Sequence, residues 1–405
     1  MAEQILLVFI IISIIIFFGF LSELIFRRTG IPDVLLLIAL GVIIGPFGLK
    51  ITDVKSLEGL SPYLTSFVLL FLLFDSAFSI DLVSLAKGIG KSMEMTMMNF
   101  IISVALVTAG GISLGMPFLE SLLLGTILGG ISSAFVIPVV EKIKIRKANE
   151  VALTIESAVT DVLCIVFSLA IMEILVIDHF SIKVVLSKIF ALFGVASFIG
   201  IIGGIIWISL IIHVFVDKHS YMMLIAYLLM IYVFTEFLGG SGAIAGLVFG
   251  IIIQNSSKLM SLFTKKGSAV TTPTEKLFYS QLTFFLKTIF FVYIGILLDL
   301  SSWIIIAVGF SMTVLLFAGR QFSDIFLRNE PDLDRRMLKR IFARGLAAAA
   351  IAQLAIQVGI AGADIISQIV ITVISFSVIL SSAGVYWTIR QSSGKERKAA
   401  MPGKI

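Results

Sequence analysis

Apolar stretches long enough to cross a bilayer recur along this chain, separated by short clusters of Gly, Pro and charged residues. In order they cover 5–26, 33–49, 61–80, 92–114, 117–140, 150–177, 184–216, 220–238, 241–254, 277–298, 302–328, 340–360 and 364–390, about thirteen spans. Inside hydrocarbon every backbone N–H and C=O must be satisfied by the chain itself, which leaves helices or a closed barrel. Continuous apolar runs without period-two alternation select helices. The reading is an all-α polytopic membrane protein. Its composition agrees: 59% of the 405 residues are hydrophobic, 14% are charged, and the mean hydropathy is +1.13. Residues 5–26 read as the first span and not a removed signal, for no basic segment precedes them. Beyond Arg390 only a short basic tail is expected, without a soluble regulatory domain.

The net charge of +5 would suggest a nucleic-acid partner only if it gathered on a soluble face. It gathers in alternate loops instead. With the C-terminus cytoplasmic, the inner loops hold Arg27 and Arg28, Lys87 and Lys91, Lys142 to Lys147, Lys218, Lys258 to Lys276 and Arg328 to Arg340. The outer loops hold Lys50, Lys55, Lys183 and Lys188. This is the positive-inside pattern of a plasma-membrane protein, with the N-terminus outside. Lys287, Arg320 and Arg344 remain within spans. Lys287 reads as structural, paired with an acid or reaching the interface, and Glu23 with Arg27 as a helix-end pair. A single cysteine, Cys164, rules out an internal disulfide framework. His179, His213 and His219 lack metal-site spacing, and no cofactor motif is present. Gly240–Gly246 mimics a nucleotide loop without a βαβ setting, and Gly239–Gly242 mimics a serine-protease motif with no histidine after Ser241. The enzyme classes therefore fall away. A channel would need filter carbonyls or rings of like side chains; the acids here are unsymmetrical, which suits a carrier.

The most telling span is 150–177. Its helical register puts Thr154, Ser157, Asp161 and Ser168 on one face, with Glu156 and Thr160 on the neighbouring stripe. An acid in such a run is costly and faces the protein interior or a wet cavity, as a functional site or a buried ion pair. The fifth span carries a break signal, Gly129-Gly130-Ile131-Ser132-Ser133 followed by Pro138. A weaker one, Arg344-Gly345-Leu346, stands in the twelfth. The first and last six spans then read as inverted repeats joined by 184–216, with a site at discontinuous helices near the midplane. Asp75, four residues before Ser79, reads as lining an inward ion funnel, against a local structural hydrogen bond.

These residues resemble the cation–proton antiporter superfamily. Ile31-Pro32-Asp33 with Gly41 to Pro46 resembles its second helix, and Phe74-Asp75-Ser76-Ala77 its Phe-Glu-Ala-Gly segment. Glu156-Ser157 with Thr160-Asp161 resembles its Glu-Ser and Asn-Asp signature. Arg320 and Arg344-Gly345-Leu346-Ala347 match late-helix arginines. The branch resembled is that of prokaryotic Na+/H+ antiporters of the NhaP type. Ile131-Ser132-Ser133 departs from its Thr-Asp-Pro, and the Ser pair is more like the K+/H+ branch. The resemblance implies exchange of Na+ (or K+, or Li+) for H+, with Asp161 as the shared site; with Thr160 neutral, Asp161 is the one titratable group at the crossing, so electroneutral exchange is expected. It implies Ser157 and Ser132 or Ser133 as further Na+ ligands, and Thr160 as the residue that stabilises the crossing. Glu156 is expected to pair with Arg320 or Arg344. It implies a core of 92–177 and 302–390 moving against a panel of 1–80 and 184–298, in a homodimer within the lipid bilayer.

Overall fold

The computed structural model describes residues 2–29, 32–52, 59–78, 91–142, 145–176, 182–213, 220–257, 273–328 and 330–399, and none of these lies in a strand. The helices are α1 Ala2–Thr29, α2 Asp33–Ile44, α3 Ser61–Ala77, α4 Lys91–Ser113, α5 Phe118–Ile127, α6 Ser133–Lys142, α7 Lys147–Val176 and α8 Ile182–His213. They continue as α9 Ser220–Phe237, α10 Gly242–Gln254, α11 Pro273–Leu297, α12 Trp303–Arg320, α13 Asp332–Arg340, α14 Leu346–Gln357 and α15 Ala363–Ala399. A 3-10 turn, Gln321–Ile325, extends α12. Lys55, Lys87, Lys144, Lys218, Lys258, Lys265, Lys266, Ser79, His179 and His219 lie outside the described residues, as does the side chain of Arg27.

Among the described residues, seven helices are long and apolar enough to cross a membrane: α1, α4, α7, α8, α11, extended α12 and α15. At 32 residues α8 is ~48 Å long and must tilt in a ~30 Å hydrocarbon layer. Two expected spans are not single helices. The stretch 117–140 is α5 and α6, each 10 residues, joined by non-helical Leu128–Ser132. Pro138 does not make this break; it stands inside α6, past the glycines that do. The stretch 340–360 holds extended residues 341–345 followed by α14, and the extended segment joins α14 to α13, which begins well before the expected start. The break thus expected only weakly at Arg344–Leu346 is as complete as the other. Each broken element stands second from the end of its half, as an inverted repeat requires.

Around these breaks the helices pack in matching pairs. α2 lies against α11, where a Cβ on Gly41 would meet Gly295 Cα at 2.7 Å. α10 lies against α3, where a Cβ on Gly250 would meet the Ala77 methyl at 2.6 Å. Lacking a hydrophobic drive between helices in lipid, such small-residue contacts let dispersion hold the pairs. One large apolar core joins α1–α7 to α11–α15, and a second joins α3 and α8–α11. Lys287 pairs with Asp33 at 2.6 Å, joining α11 to α2 beside the Phe284 ring. Both side chains are nearly buried, so of the two settings expected for Lys287, an acid partner or the interface, it takes the acid partner.

Candidate functional site

The two breaks cross against α7. Ser132 N–H donates to the Ala343 carbonyl at 2.8 Å, tying one extended segment to the other. Three residues of α7 hold the first break. Cys164 Sγ accepts from Gly130 N–H at 3.0 Å, Thr160 Oγ1 from Ile131 N–H at 3.1 Å, and Asp161 Oδ2 from Ser133 Oγ at 2.7 Å. The spacing 160, 161, 164 is one helical face, so unwound N–H groups that lipid cannot satisfy find acceptors along one line. Gly130 is needed for this approach: a Cβ there would meet Thr160 O and Cys164 Sγ, each at 2.9 Å.

Asp161 is 5% exposed. Ser133 is the first residue of α6, and its backbone N–H also faces the carboxylate. The acid therefore sits at the N-terminus of a half-helix, where free N–H groups and the helix dipole favour negative charge. It keeps unused lone pairs, for an ionised carboxylate offers about four acceptor positions. Ser157 is fully buried and donates to the Thr154 carbonyl at 3.0 Å, which leaves its oxygen free to accept. Thr160 donates to Ser157 O at 3.3 Å while it accepts from the break. Ser168, at the far end of the stripe, meets Thr126 Oγ1 at 2.9 Å.

The candidate hydroxyls in the first break have separate surroundings. Ser133 reaches Asp161, whereas the Ser132 side chain packs against Gly345, and a Cβ on Gly345 would overlap Ser132 Oγ. Gly345→Ala is expected to destabilise the crossing by about 1–3 kcal/mol, the cost of forcing atoms into a packed core. Adding Ser132→Gly should recover part of the loss. A thermal-denaturation cycle of the four variants checks this, and strictly additive losses would show that the two positions do not touch.

Glu156 is fully buried, and both its oxygens accept from the Arg320 guanidinium. Asn99 Nδ2 also donates to Glu156 Oε1 at 2.9 Å, and Ser323 Oγ donates to Asn99 Oδ1 at 2.8 Å. Arg320 Nε donates to Leu338 O of α13 at 2.9 Å. Of the two arginines considered for Glu156, then, Arg320 is the partner. Arg344 serves the crossing instead: it donates to the carbonyls of Gly129 and Gly130 and to Ser103 Oγ at 3.0 Å. A cation there complements the negative C-terminal end of α5. Its backbone N–H donates to Ser377 Oγ, and Phe342 N–H to Ser381 Oγ. Arg344, whose Nε has no partner among the described residues, lines a cavity of about 10 Å³ with Glu156, Thr160 and Arg320, room for one water.

Asn99, Ser103, Cys164, Ser377 and Ser381 were not legible as site residues. Asn99 with Ser103 and Ser377 with Ser381 recur at i, i+4 within apolar helices, which was the available signal. Asp75 is not part of this network; it lies near the end of α3, partly exposed.

The transmembrane sodium/hydrogen exchanger family profile matches residues 11–391. The chain is 29% identical over 252 residues to the Na+/H+ antiporter 1 of Methanocaldococcus jannaschii, covering 59% of this chain and 58% of that protein. It is 28% identical over 294 residues to the Na+/H+ antiporter ApNhaP of Aphanothece halophytica, covering 71% and 53%. It is 24% identical over 236 residues to the K+/H+ antiporter NhaP2 of a Shewanella species, covering 56% and 40%. These matches thus span about half the length of the relatives. A solved structure of a sodium–proton antiporter from Methanocaldococcus jannaschii superposes with a TM-score of 0.76 at 21% identity, covering 95% of this chain and 98% of that one.

Proposed function

The chain belongs to the sodium/hydrogen exchanger family, and from that membership we propose that it exchanges a monovalent cation, Na+ or Li+, for H+ by alternating access. The carrying observation is one buried carboxylate, Asp161, at the N-terminus of a half-helix where two broken segments cross. A carboxylate is a hard oxygen ligand suited to an alkali cation, and the same oxygens take a proton, so the two compete. Ser133 and Ser157 offer hydroxyl oxygens beside it, water completes the shell, and Thr160 holds the crossing together. Glu156 and Arg320 are a structural pair, and Arg344 stabilises the first break. Asp75 lines the path toward the site. A second reading, K+/H+ exchange, has support in the neutral Ser132–Ser133 pair and in the Shewanella relative.

The moving core is 92–177 with 302–390, and the fixed panel is 1–80 with 184–298. The panel also carries the homodimer face, and exposed apolar side chains on α1 and α8, such as Phe17 and Phe190, suit lipid or a second copy there. The plasma membrane, with the C-terminus cytoplasmic and the N-terminus outside, fits the basic residues Arg335, Arg336, Lys339 and Arg340 on α13.

The test is transport in proteoliposomes given Na+, Li+ and K+ in turn under an imposed pH gradient. Proton flux coupled to one cation supports exchange; ion leak without proton coupling overturns it. Exchange is also expected to be electroneutral, because one carboxylate carries one proton or one monovalent cation. Arginine does not deprotonate, and Lys287 is held on Asp33 in the panel, away from the cycle. Rates measured with the membrane potential clamped at zero and then imposed should match. A rate that follows the potential would point to a second titrating group, with Lys287 the first to replace.

A further inference from the structure

Three glutamines stand at one end of the bundle, where α3 begins, α11 and α14 end and α15 begins. Gln353 and Gln357 are one turn apart on α14, so they share a face. Gln353 is 4% exposed, an expensive place for an amide unless it is bonded. Its Nε2 donates to Ser367 Oγ of α15 at 2.9 Å, and its Oε1 lies 3.4 Å from the Tyr293 hydroxyl of α11. Tyr293 in turn lies 2.7 Å from Ser61 Oγ of α3, and Gln357 Nε2 reaches the same oxygen at 3.5 Å. Gln368 of α15 donates to the Leu297 carbonyl of α11 at 2.8 Å and accepts from Asp299 N–H at 3.0 Å.

Each of these glutamines sits on the proposed core and contacts the proposed panel or the link that follows it. We infer that Gln353, Gln357 and Gln368, with Tyr293 and Ser61, form a latch that closes this end of the transport path and parts when the site turns toward it. The inference rests on the proposed division into two moving parts. The chemistry suits a gate. Neutral amides and hydroxyls make bonds of modest strength, and water replaces them at little loss once the faces separate. Charged pairs would bind more tightly and slow the opening. The other end of the core is of that charged kind: Asp324 pairs with Arg335 at 2.5 Å and with Lys339 at 2.9 Å. Those bonds join core elements to each other, and nothing in the cycle requires them to break.

The latch is tested by spin labels on Tyr63→Cys and Val358→Cys, exposed positions beside it on α3 and just past α14. The natural Cys164 is buried and does not take the label. In the reconstituted full chain, two distance populations are expected. Adding Gln353→Leu and Tyr293→Phe should raise the longer one about threefold, since the closed state loses contacts that the open state lacks. One distance in all variants, or two whose ratio ignores those substitutions, overturns the latch. Cation-coupled proton flux is measured on the same liposomes. Its absence beside a responsive distance ratio counts against exchange and leaves the latch standing.

Discussion

Asp161→Asn is expected to abolish cation-coupled proton flux while leaving the protein folded. Asparagine has nearly the same shape, and its carbonyl oxygen can still accept from the Ser133 hydroxyl that Asp161 accepts from at 2.7 Å. The anchor at the start of α6 therefore survives. What goes is the negative charge, and with it both the cation ligand and the group that takes the proton. Changes to residues that merely support a metal ligand cost about 10–100-fold, so loss of the charged ligand itself should exceed ~100-fold. The measurement is exchange in proteoliposomes beside a thermal-denaturation curve for the same preparation. A folded variant that still couples cation to proton flux would move the carrier site away from Asp161. Ser133→Ala makes the milder companion, leaving the acid in place and removing one hydroxyl, so altered cation preference with retained flux is the expected result.

Glu156→Gln should act on stability first. The carboxylate neutralises Arg320 where the two side chains are 1% and 3% exposed, and it also accepts from Asn99. Breaking a buried pair by removing one partner strands the other charge, at a cost of about 3–5 kcal/mol. Arg320 also holds the Leu338 carbonyl, so the strain reaches α13 and the second break. Replacing both partners, Glu156→Gln with Arg320→Met, should recover part of the loss because no charge is then left unpaired. A denaturation midpoint that does not move, together with weaker apparent cation affinity, would make Glu156 a ligand and reverse its role.

Much of the architecture follows from the sequence through one constraint. A backbone in hydrocarbon has to satisfy itself, so long apolar runs become helices, and carboxylates within them turn inward. Glu156 and Asp161 are legible for that reason, as are the two interruptions at Gly129–Ser133 and Arg344–Leu346. Register along one helix also places Ser157, Thr160 and Asp161 together before any fold is known. Partners across helices are another matter. Both Arg320 and Arg344 could reach Glu156 by composition and span. Only packing puts Arg320 on the acid and turns Arg344 to the Gly129 and Gly130 carbonyls. In the same way Ser132 and Ser133 differ by one position in the chain. The start of α6 points Ser133 at Asp161, while Ser132 meets Gly345 from the other half of the molecule. Cys164 reads as a small apolar residue until an unwound Gly130 N–H is brought within 3.0 Å of it. Local spacing decides what one helix presents; which groups complete a site depends on contacts between residues far apart in the chain, and those exist only once the helices have packed.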